Sequence, residues 1–531
     1  MEYPVEAFSK PEQLLLKPHF SNLDRPVFAI DNLPEAVKGA LFARYSRYQG
    51  TLRRLFIDEF LDASLPAARP TDGKEGTRAA KLYDTVFLGY GDDSVAQLGG
   101  AHLACEYASN IITKLLQRGR LAAYLEQSTR YIPFDDKMSN GNYRYYRDQD
   151  LGPEFAAVMD QLFSTYSRLI PVLNSWAAEE WPRRADQPER AWETSIKAKS
   201  LDLLRGLLPA ATLSHVGIFA SGQAYEMLVM RLMASPLPEA RAYGQMILEA
   251  LQTVIPSFLS RVERPDRGGE WINYFERRRL QTEEQVHRFG LDARTDQDRG
   301  PSVELIDVRG DEAELLASCL YEQAGLPQKQ INAAIAGMDA EERRRLLAAV
   351  VGDRKNRRHR PGRGFEVLSY RFEIVSDYGA FRDLQRHRML TCEWQALTPD
   401  LGADIPEEIQ AAGAGDDYRR ALEISHGEYE RLWSQGQAEL APYALCLGYR
   451  IRYLMDMNAR EAMQLIELRS GDQGHPTYRA VAQQMHERIA EVHPAVADTM
   501  TYVDHSKEPR LERILSEIRS HHKLQAADSQ E

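Results

Sequence analysis

The sequence lacks the patterns that mark disulfide-bonded, secreted and membrane-spanning proteins. Its 531 residues include four scattered cysteines and no Cys-x-x-Cys pair, which is typical of a reducing compartment. No stretch approaches the roughly 18 uncharged apolar residues of a membrane span. The N-terminus carries neither the basic nor the apolar segment of a signal peptide. We therefore expect a soluble, cytoplasmic protein with no membrane partner.

The charge balance and the missing motifs exclude further classes of function. A formal net charge of −12 argues against a nucleic-acid partner, because phosphate binding requires a basic face. Gly89-x-Gly91 has no third glycine at the spacing of a dinucleotide-binding fingerprint, and no Walker loop, Gly-x-Ser-x-Gly or His-Glu-x-x-His motif occurs. The 13 histidines show no metal-ligand spacing, so no metal site is predicted.

Helical periodicity dominates what remains. Apolar spacing predicts several helices along the chain and favours a long helix over most of Val95–Leu116. The alternating, β-branched and aromatic stretch Phe365–Val375 predicts a strand. Further predicted helices include Lys81–Leu88, Phe155–Trp181, Gly222–Met233, Glu312–Ala324, Gln328–Ala336, Ala340–Val351 and Ala380–Arg388.

An arginine-flanked helix end occurs twice and indicates a duplication. The first copy reads Gln-Arg-Gly-Arg from Gln117, and the second reads Gln-Arg-His-Arg from Gln385. Each follows a helix-like run and leads into polar, turn-prone sequence. A repeat at this distance predicts two related domains. We predict a first domain over 1–262, a charged linker over 263–304, a second domain over 305–520 and a tail over 521–531.

The paired arginines suit an anion, because guanidinium groups match phosphate oxygens bidentately. For Arg118 and Arg120 a second interpretation stays open, in which the cations offset a helix dipole. Asn458 and Arg460 are equally compatible with a helix surface pair. The basic segment Arg354–Arg363 either lines an anion site or forms a solvated loop.

The motifs and their order resemble the flavin-dependent thymidylate synthases, whose signature is Arg-His-Arg followed by Ser-x-Asn-Glu-x-Ser-x-Arg-Tyr. The resemblance covers roughly residues 30–260 and 310–495, and each copy departs from the signature differently. In the first copy, Gly119 replaces the histidine, while the Glu-x-Ser-x-Arg segment from Glu126 is kept. Gly91–Val95 resembles the family's Gly-His loop. In the second copy, Arg-His-Arg is intact, but Trp394 and its neighbours replace the substrate segment.

The resemblance implies an α+β, helix-rich fold of two tandem thymidylate synthase-like domains. It further implies that the first copy binds the nucleotide and the second copy binds FAD, with no catalytic side chain assigned. The residues implied to bind the nucleotide are Arg118, Arg120, Glu126, Ser128, Arg130 and Arg205. Those implied to bind FAD are Arg386, His387, Arg388, Asn458, Arg460 and Arg469.

The implied activity is the FAD-dependent methylation of dUMP to dTMP with methylenetetrahydrofolate and NADPH as co-substrates. The family builds its sites from four chains, so two tandem chains are expected to form a homodimeric pseudo-tetramer. Two alternatives stay open: a non-catalytic nucleotide- or flavin-binding scaffold of the same fold, or a flavoenzyme acting on another nucleotide.

Overall fold

Two four-stranded antiparallel sheets with the same strand order organise the chain. The computed structural model describes residues 3–33, 41–42, 44–45, 48–60, 100–293, 300–507 and 510–528. The first sheet has the order β1-β2-β4-β3 and consists of β1 Val27–Ile30, β2 Gly100–Ser109, β3 Ala122–Glu126 and β4 Leu213–Ser221. The second has the order β5-β6-β8-β7 and consists of β5 Ser302–Arg309, β6 Ser369–Asp377, β7 Leu390–Trp394 and β8 Arg450–Asn458.

The register of the edge strands repeats as well. Ala122 of β3 pairs with Ala220 of β4, and Leu390 of β7 pairs with Met457 of β8 in the same way. This agreement in strand order and register confirms the predicted α+β fold of two tandem copies.

Helices account for most of the remaining described structure. Those of the first half are α1 Lys10–Leu16, α2 Leu52–Leu55, α3 Ile112–Leu116, α4 Gly152–Glu180, α5 Glu189–Leu204, α6 Gly222–Met233, α7 Pro238–Gln252, α8 Pro256–Leu259 and α9 Glu270–Arg288. Those of the second half are α10 Glu312–Tyr321, α11 Gln328–Ala336, α12 Ala340–Val351, α13 Tyr378–Leu384, α14 Glu407–Ala411, α15 Gly415–Ser434, α16 Ala459–Arg469, α17 Pro476–Val492, α18 Pro494–Asp498 and α19 Ile514–Asp528. None of the helices in the described ranges is both long and apolar enough to cross a membrane.

In both halves a central strand runs directly into a helix, and a capping side chain marks the change. Ser221 Oγ accepts a hydrogen bond from Ala224 N (3.4 Å) at the start of α6, and Asn458 Oδ1 accepts one from Glu461 N (2.9 Å) at the start of α16. Ser and Asn are favoured at this position because they satisfy a backbone N–H that the first helical turn leaves unpaired.

Most of the helix predictions are confirmed, including α6, α11 and α12 with their predicted bounds. The long helix predicted over Val95–Leu116 is wrong within its described part, where β2 precedes the short helix α3. β2 lies between β1 and β4 and is buried along nearly its whole length, so its apolar residues do not alternate. The predicted helix Lys81–Leu88 and the loop Gly91–Val95 lie outside the described residues.

The chain forms two compact units, and each contains a segment from the other half. The first unit consists of residues 1–167 and 207–295 together with 423–446. The second consists of residues 296–422 and 447–531 together with 168–206. Each half therefore contributes a helical segment to the unit built mainly by the other half. The domain boundaries at 262 and 305 remain a prediction about the repeats.

The segment 423–446 contributes buried side chains to the first unit. Cys446 Sγ donates to the carbonyl oxygen of Leu207 (3.2 Å), and the Tyr443 hydroxyl donates to Glu239 (2.8 Å). In the second unit, the buried Lys199 of the exchanged segment forms an ion pair with the buried Glu512 (2.9 Å). These contacts are the reason each unit needs residues from both halves.

We predict that the first half alone does not fold cooperatively. A fragment of residues 1–262 lacks Tyr443 and Cys446, whose removal leaves Glu239 and the backbone near Leu207 without their partners. Co-expression with residues 263–531 should restore a soluble complex of the two fragments. Thermal unfolding followed by circular dichroism checks this, and a cooperative transition of the isolated fragment at the temperature of the full chain would contradict it.

A buried carboxyl group fixes the turn that precedes α3. Glu239 accepts hydrogen bonds from Ser109 N (2.9 Å) and Ser109 Oγ (2.6 Å), and Ser109 Oγ accepts one from Ile112 N (3.2 Å) at the start of the helix. Burial raises the pKa of Glu239 from 4.5 to about 7, against the lowering effect of these hydrogen bonds. The folded protein therefore holds a proton here that the unfolded chain loses at lower pH.

This raised pKa predicts a specific pH dependence of stability. Because the folded pKa lies above the unfolded value, Glu239 makes the free energy of unfolding decrease by about 3 kcal/mol from pH 4.5 to 7. Glu239→Gln removes this dependence and keeps hydrogen-bonding capacity at the same place. Urea unfolding of both proteins at pH 5 and pH 8 should show the variant gaining stability relative to the natural chain as pH rises. A difference independent of pH would contradict the assignment.

Candidate functional site

The two arginine motifs lie at the junction between a short helix and an edge strand. Arg118 and Arg120 follow α3 and precede β3, and Arg386 and Arg388 follow α13 and precede β7. The turn-prone segments predicted after each motif are therefore wrong, because both are edge strands paired with a central strand. Both strands are only five residues long and carry partly exposed side chains, as expected at a sheet edge. The prediction that the second helix continues to Arg388 is also wrong, since α13 ends at Leu384.

In the second unit, His387 lies between an acid and a base. Its Nδ1 is 3.0 Å from Glu461 Oε1, and its Nε2 accepts a hydrogen bond from Arg469 Nε (2.9 Å). An Nε2 that accepts carries no proton, so the neutral ring donates from Nδ1 to Glu461. Burial lowers the pKa of His387 despite the opposing effect of Glu461, and the positive charges of Arg469 and Arg386 lower it further. His387 is therefore a neutral positioning group for Arg469.

Asp383 of α13 gathers three arginines around one carboxylate. Its oxygens lie 3.2 Å from the guanidinium of Arg205 and 4.0 Å from that of Arg469, and Arg386 also donates to it. Burial and the positive charge of Arg386 lower the pKa of Arg469, whereas Asp383 opposes this shift. Three arginine side chains thus surround one carboxylate of the chain itself, that of Asp383.

Arg205 joins this cluster from the segment 168–206 of the first half. Its guanidinium lies 3.6 Å from Asp377 Oδ1 and donates to Thr477 Oγ1 (3.3 Å). The buried Nε of Arg205 has no hydrogen-bond acceptor among the described residues. The structure thus places Arg205 in the second unit, whereas the other residues predicted to bind the nucleotide belong to the first.

The remaining residues predicted to bind flavin have different surroundings. Asn458 uses its side-chain oxygen to cap α16, and Arg460 donates to the carbonyl oxygen of Pro361 (3.0 Å). Arg388 is exposed and lies two residues before β7. Arg354 of the basic segment forms a buried ion pair with Glu467 (2.5 Å), so at least this arginine serves the packing of the second unit.

In the first unit, Glu126 is a buried structural partner. Its Oε2 accepts hydrogen bonds from Lys114 Nζ (3.0 Å) and from Gln117 Nε2 (3.1 Å), and both side chains of the ion pair are almost completely buried. A carboxylate held in this way links the end of β3 to α3. Glu126 thereby fixes the helix that leads into Arg118.

Ser128 and Arg130 follow β3 and are half-buried. Ser128 Oγ accepts a hydrogen bond from Arg130 N (3.2 Å), which closes a short turn between the two residues. Both side chains therefore lie on one compact turn directly after the edge strand, in the same unit as Arg118 and Arg120.

Sequence reasoning missed a buried polar network next to this turn. Arg144 donates to Gln127 Oε1 (2.6 Å), and its terminal nitrogen lies 3.2 Å from His215 Nε2. The backbone N of Tyr107 donates to His215 Nδ1 (3.0 Å), and Tyr107 has a positive φ of 58° at an irregularity in β2. Such backbone strain is found where surrounding contacts impose it. No local pattern marks these residues, because the partners lie far apart in the sequence.

Arg118 and Arg120 line a cavity of about 290 Å³ in the first unit, together with Arg231 of α6. Tyr124 also lines it, and its hydroxyl donates to the carbonyl oxygen of Gly119 (2.9 Å). Among the described residues no group of three or more histidine, cysteine, aspartate or glutamate side chains is arranged to hold a metal ion.

Comparison with known proteins identifies relatives along nearly the whole chain. The family described as thymidylate synthase complementing protein matches residues 53–257 and again residues 305–495. A UPF0159 protein of Chlamydia muridarum (strain MoPn / Nigg) is 37% identical over 523 residues, which cover 96% of this chain and 98% of that protein. A UPF0159 protein of Thermoplasma acidophilum is 30% identical and covers 91% of this chain and 98% of its own length.

A solved structure of a UMP/dUMP methylase, PolB from Streptomyces cacaoi bound with 5-Br dUMP, is also similar. It is 22% identical, covers 38% of this chain and 96% of its own, and has a TM-score of 0.31. The family match over both halves and the repeated strand order agree with the resemblance given by the two arginine motifs. The chain belongs to the thymidylate synthase complementing protein family, as a tandem of two copies.

Proposed function

We propose that the protein is a flavin-dependent nucleotide methylase of the thymidylate synthase type. It would bind FAD and convert dUMP to dTMP with methylenetetrahydrofolate and NADPH. The observation that carries this proposal is the arginine cluster of the second unit, where Arg386, Arg469 and Arg205 converge on the carboxylate of Asp383. Convergent guanidinium groups form bidentate hydrogen bonds with phosphate oxygens, which supports a role in binding a diphosphate.

The donor set fits the anionic part of FAD. The Asp383 carboxylate already lies among the arginines, so the arginine cluster of the second unit accommodates a negative charge. No described residue accepts a hydrogen bond from the buried Nε of Arg205, so this donor is available to a ligand. A diphosphate would replace Asp383 as the partner of Arg386, while Arg388 would contribute from the exposed segment just before β7.

His387, Asn458 and Arg460 would act as positioning residues for this cofactor. The neutral His387 ring orients Arg469, since Arg469 Nε donates to its Nε2. Asn458 fixes the first turn of α16, and Arg460 braces the neighbouring loop through Pro361. When bound, the flavin supplies the redox and one-carbon chemistry, whereas the protein binds and orients the reactants.

Ser128 and Arg130 are the proposed ligands of the nucleotide phosphate. Their shared turn carries a hydroxyl and a guanidinium directly after β3, and Arg118 and Arg120 add positive charge in the same unit. Glu126 would act indirectly, through its ion pair with Lys114. Arg205 belongs to the second unit, so in this proposal it contributes to the flavin site and not to the nucleotide site.

A second candidate function is a non-catalytic scaffold of the same fold. It is favoured by the internal ion pairs of the second unit, because Asp383 and Glu461 already satisfy Arg386 and His387 without any ligand. A third reading, a flavoenzyme on another nucleotide, shares the flavin step with the lead proposal. Flavin binding by the purified protein separates the scaffold from both enzymes.

The two ligand sets predict opposite effects of two single substitutions. Arg130→Ala should weaken dUMP binding about ten- to a hundredfold, the range of one charged hydrogen bond, and leave flavin content unchanged. Arg388→Ala should reduce bound FAD and leave dUMP binding nearly unchanged. Calorimetry measures dUMP binding, and visible absorption of the purified protein measures FAD.

Arg277→Ala is the matched control, since Arg277 is an exposed arginine of α9 outside both sets. It should alter neither measurement. Equal effects of Arg130→Ala and Arg388→Ala on both ligands would refute the division of labour between the copies. A colourless protein that takes up no FAD would favour the scaffold.

We also propose that two chains associate as a homodimer, because each chain already provides two of the four copies that the family assembles. Sedimentation velocity at micromolar concentration should give a species of about twice the chain mass of 60.4 kDa. A monomer over the whole concentration range would remove this part of the proposal.

A further inference from the structure

A second cavity lies in the second unit and has a volume of about 530 Å³. Residues at the end of α10, the start of α11, the end of α12 and the short 3-10 turn Arg363–Glu366 line it. α10 and this turn approach closely, because a Cβ on Gly364 would lie only 2.6 Å from Cys319 Cα. None of the residues predicted to bind the nucleotide or the flavin lines this cavity. Its volume falls within the range of small-molecule sites, about 300 to 1,000 Å³.

Three side chains at this cavity match the three parts of a nucleotide. Tyr321 is 56% exposed, and its ring makes no aromatic contact with any described residue, so the ring is available to stack on a base. Glu322 has carboxylate oxygens that accept hydrogen bonds from ribose hydroxyls. Arg363 has a guanidinium group, which suits a phosphate.

The internal partner of Arg363 leaves this arginine accessible to a ligand. Arg363 donates to Glu366 (3.0 Å), three residues later, and its side chain is 86% exposed. Exposed ion pairs of this kind contribute little to stability, because water screens them. A phosphate can therefore replace Glu366 as the partner of this guanidinium at low cost.

The basic segment just before these residues adds positive charge. Arg357, Arg358 and Arg360 are exposed, and within the described ranges their guanidinium groups take part in no ion pair or hydrogen bond. The segment has a defined shape, because Arg354 donates to the carbonyl oxygens of His359 (2.6 Å) and Arg357 (3.4 Å). A cluster of cations on an ordered segment favours an anionic ligand. Of the two alternatives that the sequence leaves open for this segment, these contacts support the anion site.

The same segment contacts a residue proposed to position the flavin. Arg460 of α16 donates to the carbonyl oxygen of Pro361 (3.0 Å), and its guanidinium lies 4.0 Å from Glu366. Pro361 directly precedes Gly362, which lines the cavity. A ligand in this cavity is thus held next to the helix that carries Arg460, as expected for a dinucleotide that reacts at the proposed flavin site.

We propose that this cavity binds the adenosine 2′-phosphate end of NADPH, with the adenine on Tyr321, a ribose hydroxyl at Glu322 and the 2′-phosphate at Arg363. The three unpaired arginines of the basic segment outnumber the carboxylate of Glu322, which favours a phosphorylated ribose. The inference rests on the proposed function for the identity of the dinucleotide. It adds the site and a physical basis for preferring NADPH to NADH, which lacks the 2′-phosphate.

The experiment uses the full-length protein, with NADP+, NAD+, adenosine 2′,5′-bisphosphate and inorganic phosphate as probes in calorimetry. The oxidised dinucleotides are used so that no reduction of bound flavin contributes heat. We expect NADP+ and the bisphosphate to bind at least about tenfold more tightly than NAD+, since one charged phosphate contact is worth about this factor. Inorganic phosphate should bind more weakly than the bisphosphate, because it lacks the adenine.

A substitution at the rim tests the phosphate contact. Arg363→Gln should weaken NADP+ binding about tenfold and leave NAD+ binding nearly unchanged, so the preference for NADP+ decreases. Arg488→Gln is the matched control, because Arg488 also pairs with a glutamate three residues later, Glu491, and does not line the cavity. It should bind both dinucleotides like the natural chain.

A second pair of variants tests the aromatic contact. Tyr321→Leu should weaken NADP+ and NAD+ binding by the same factor, roughly tenfold, because both ligands carry the adenine. Tyr321→Phe keeps the ring and should bind both normally. Since Tyr321 is exposed, neither substitution should lower the unfolding temperature, which is measured for each variant.

The inference is overturned by any of three results. These are that neither NADP+ nor the bisphosphate binds, that NAD+ or inorganic phosphate binds as tightly as NADP+, or that Arg363→Gln or Tyr321→Leu binds like the natural chain. Failure of the proposed function gives a different pattern, since FAD content is measured separately by visible absorption. A protein that binds NADP+ through Arg363 and Tyr321 but takes up no FAD would refute the flavin function and retain the cavity. A protein that holds FAD and binds neither NADP+ nor the bisphosphate would do the reverse.

Discussion

Backbone hydrogen bonds between two stretches far apart in the sequence close the first unit. Ala210 N donates to the carbonyl oxygen of Leu445 (2.7 Å), and Ala211 N donates to that of Tyr443 (3.0 Å). The strand β4 begins two residues later at Leu213 and pairs with both β2 and β3. The start of a central strand is thus fixed by a segment of the other half, and the edge strand that follows the arginine motif depends on it.

The two copies use one framework for different electrostatic purposes. In the second unit, arginines are drawn together by carboxylates within the chain, and burial of these groups requires that they remain paired. In the first unit, Glu126 forms a comparable buried ion pair with Lys114, and Arg118 and Arg120 line a cavity. Removal of one partner from a buried pair is costly, because it leaves the other charge buried and uncompensated.

Sequence patterns predicted the helices better than the strands, for a physical reason. Amphipathic helices such as α12 keep a solvent face and therefore show their period, whereas β2 is covered on both faces and shows none. The edge strands β3 and β7 were also missed, because five residues are too few to show a clear alternating pattern. Their pairing is set by the neighbouring strand and has no local signature.

Residues of the candidate site could be predicted when they belong to a sequence motif. Residues that come together only through tertiary packing could not. Arg386 and His387 were recognised by their spacing, but their partners Asp383 and Glu461 were not, since α13 and α16 meet only in the folded unit. Arg205 was assigned to the nucleotide by the family resemblance of the first half. The exchange of residues 168–206 gives it surroundings that no reading of the first half alone could provide.

The presence of Gly119 in one motif and His387 in the other has a consequence for how such a protein changes over time. In an assembly of identical chains, each substitution is repeated at every copy, so a harmful loss at one site is a loss at all of them. Once two copies are joined in one chain, a histidine can disappear from one junction while the other retains it. Covalent fusion therefore allows the two copies to differ in sequence. Because each unit contains a segment of the other half, neither copy can be lost without affecting both units.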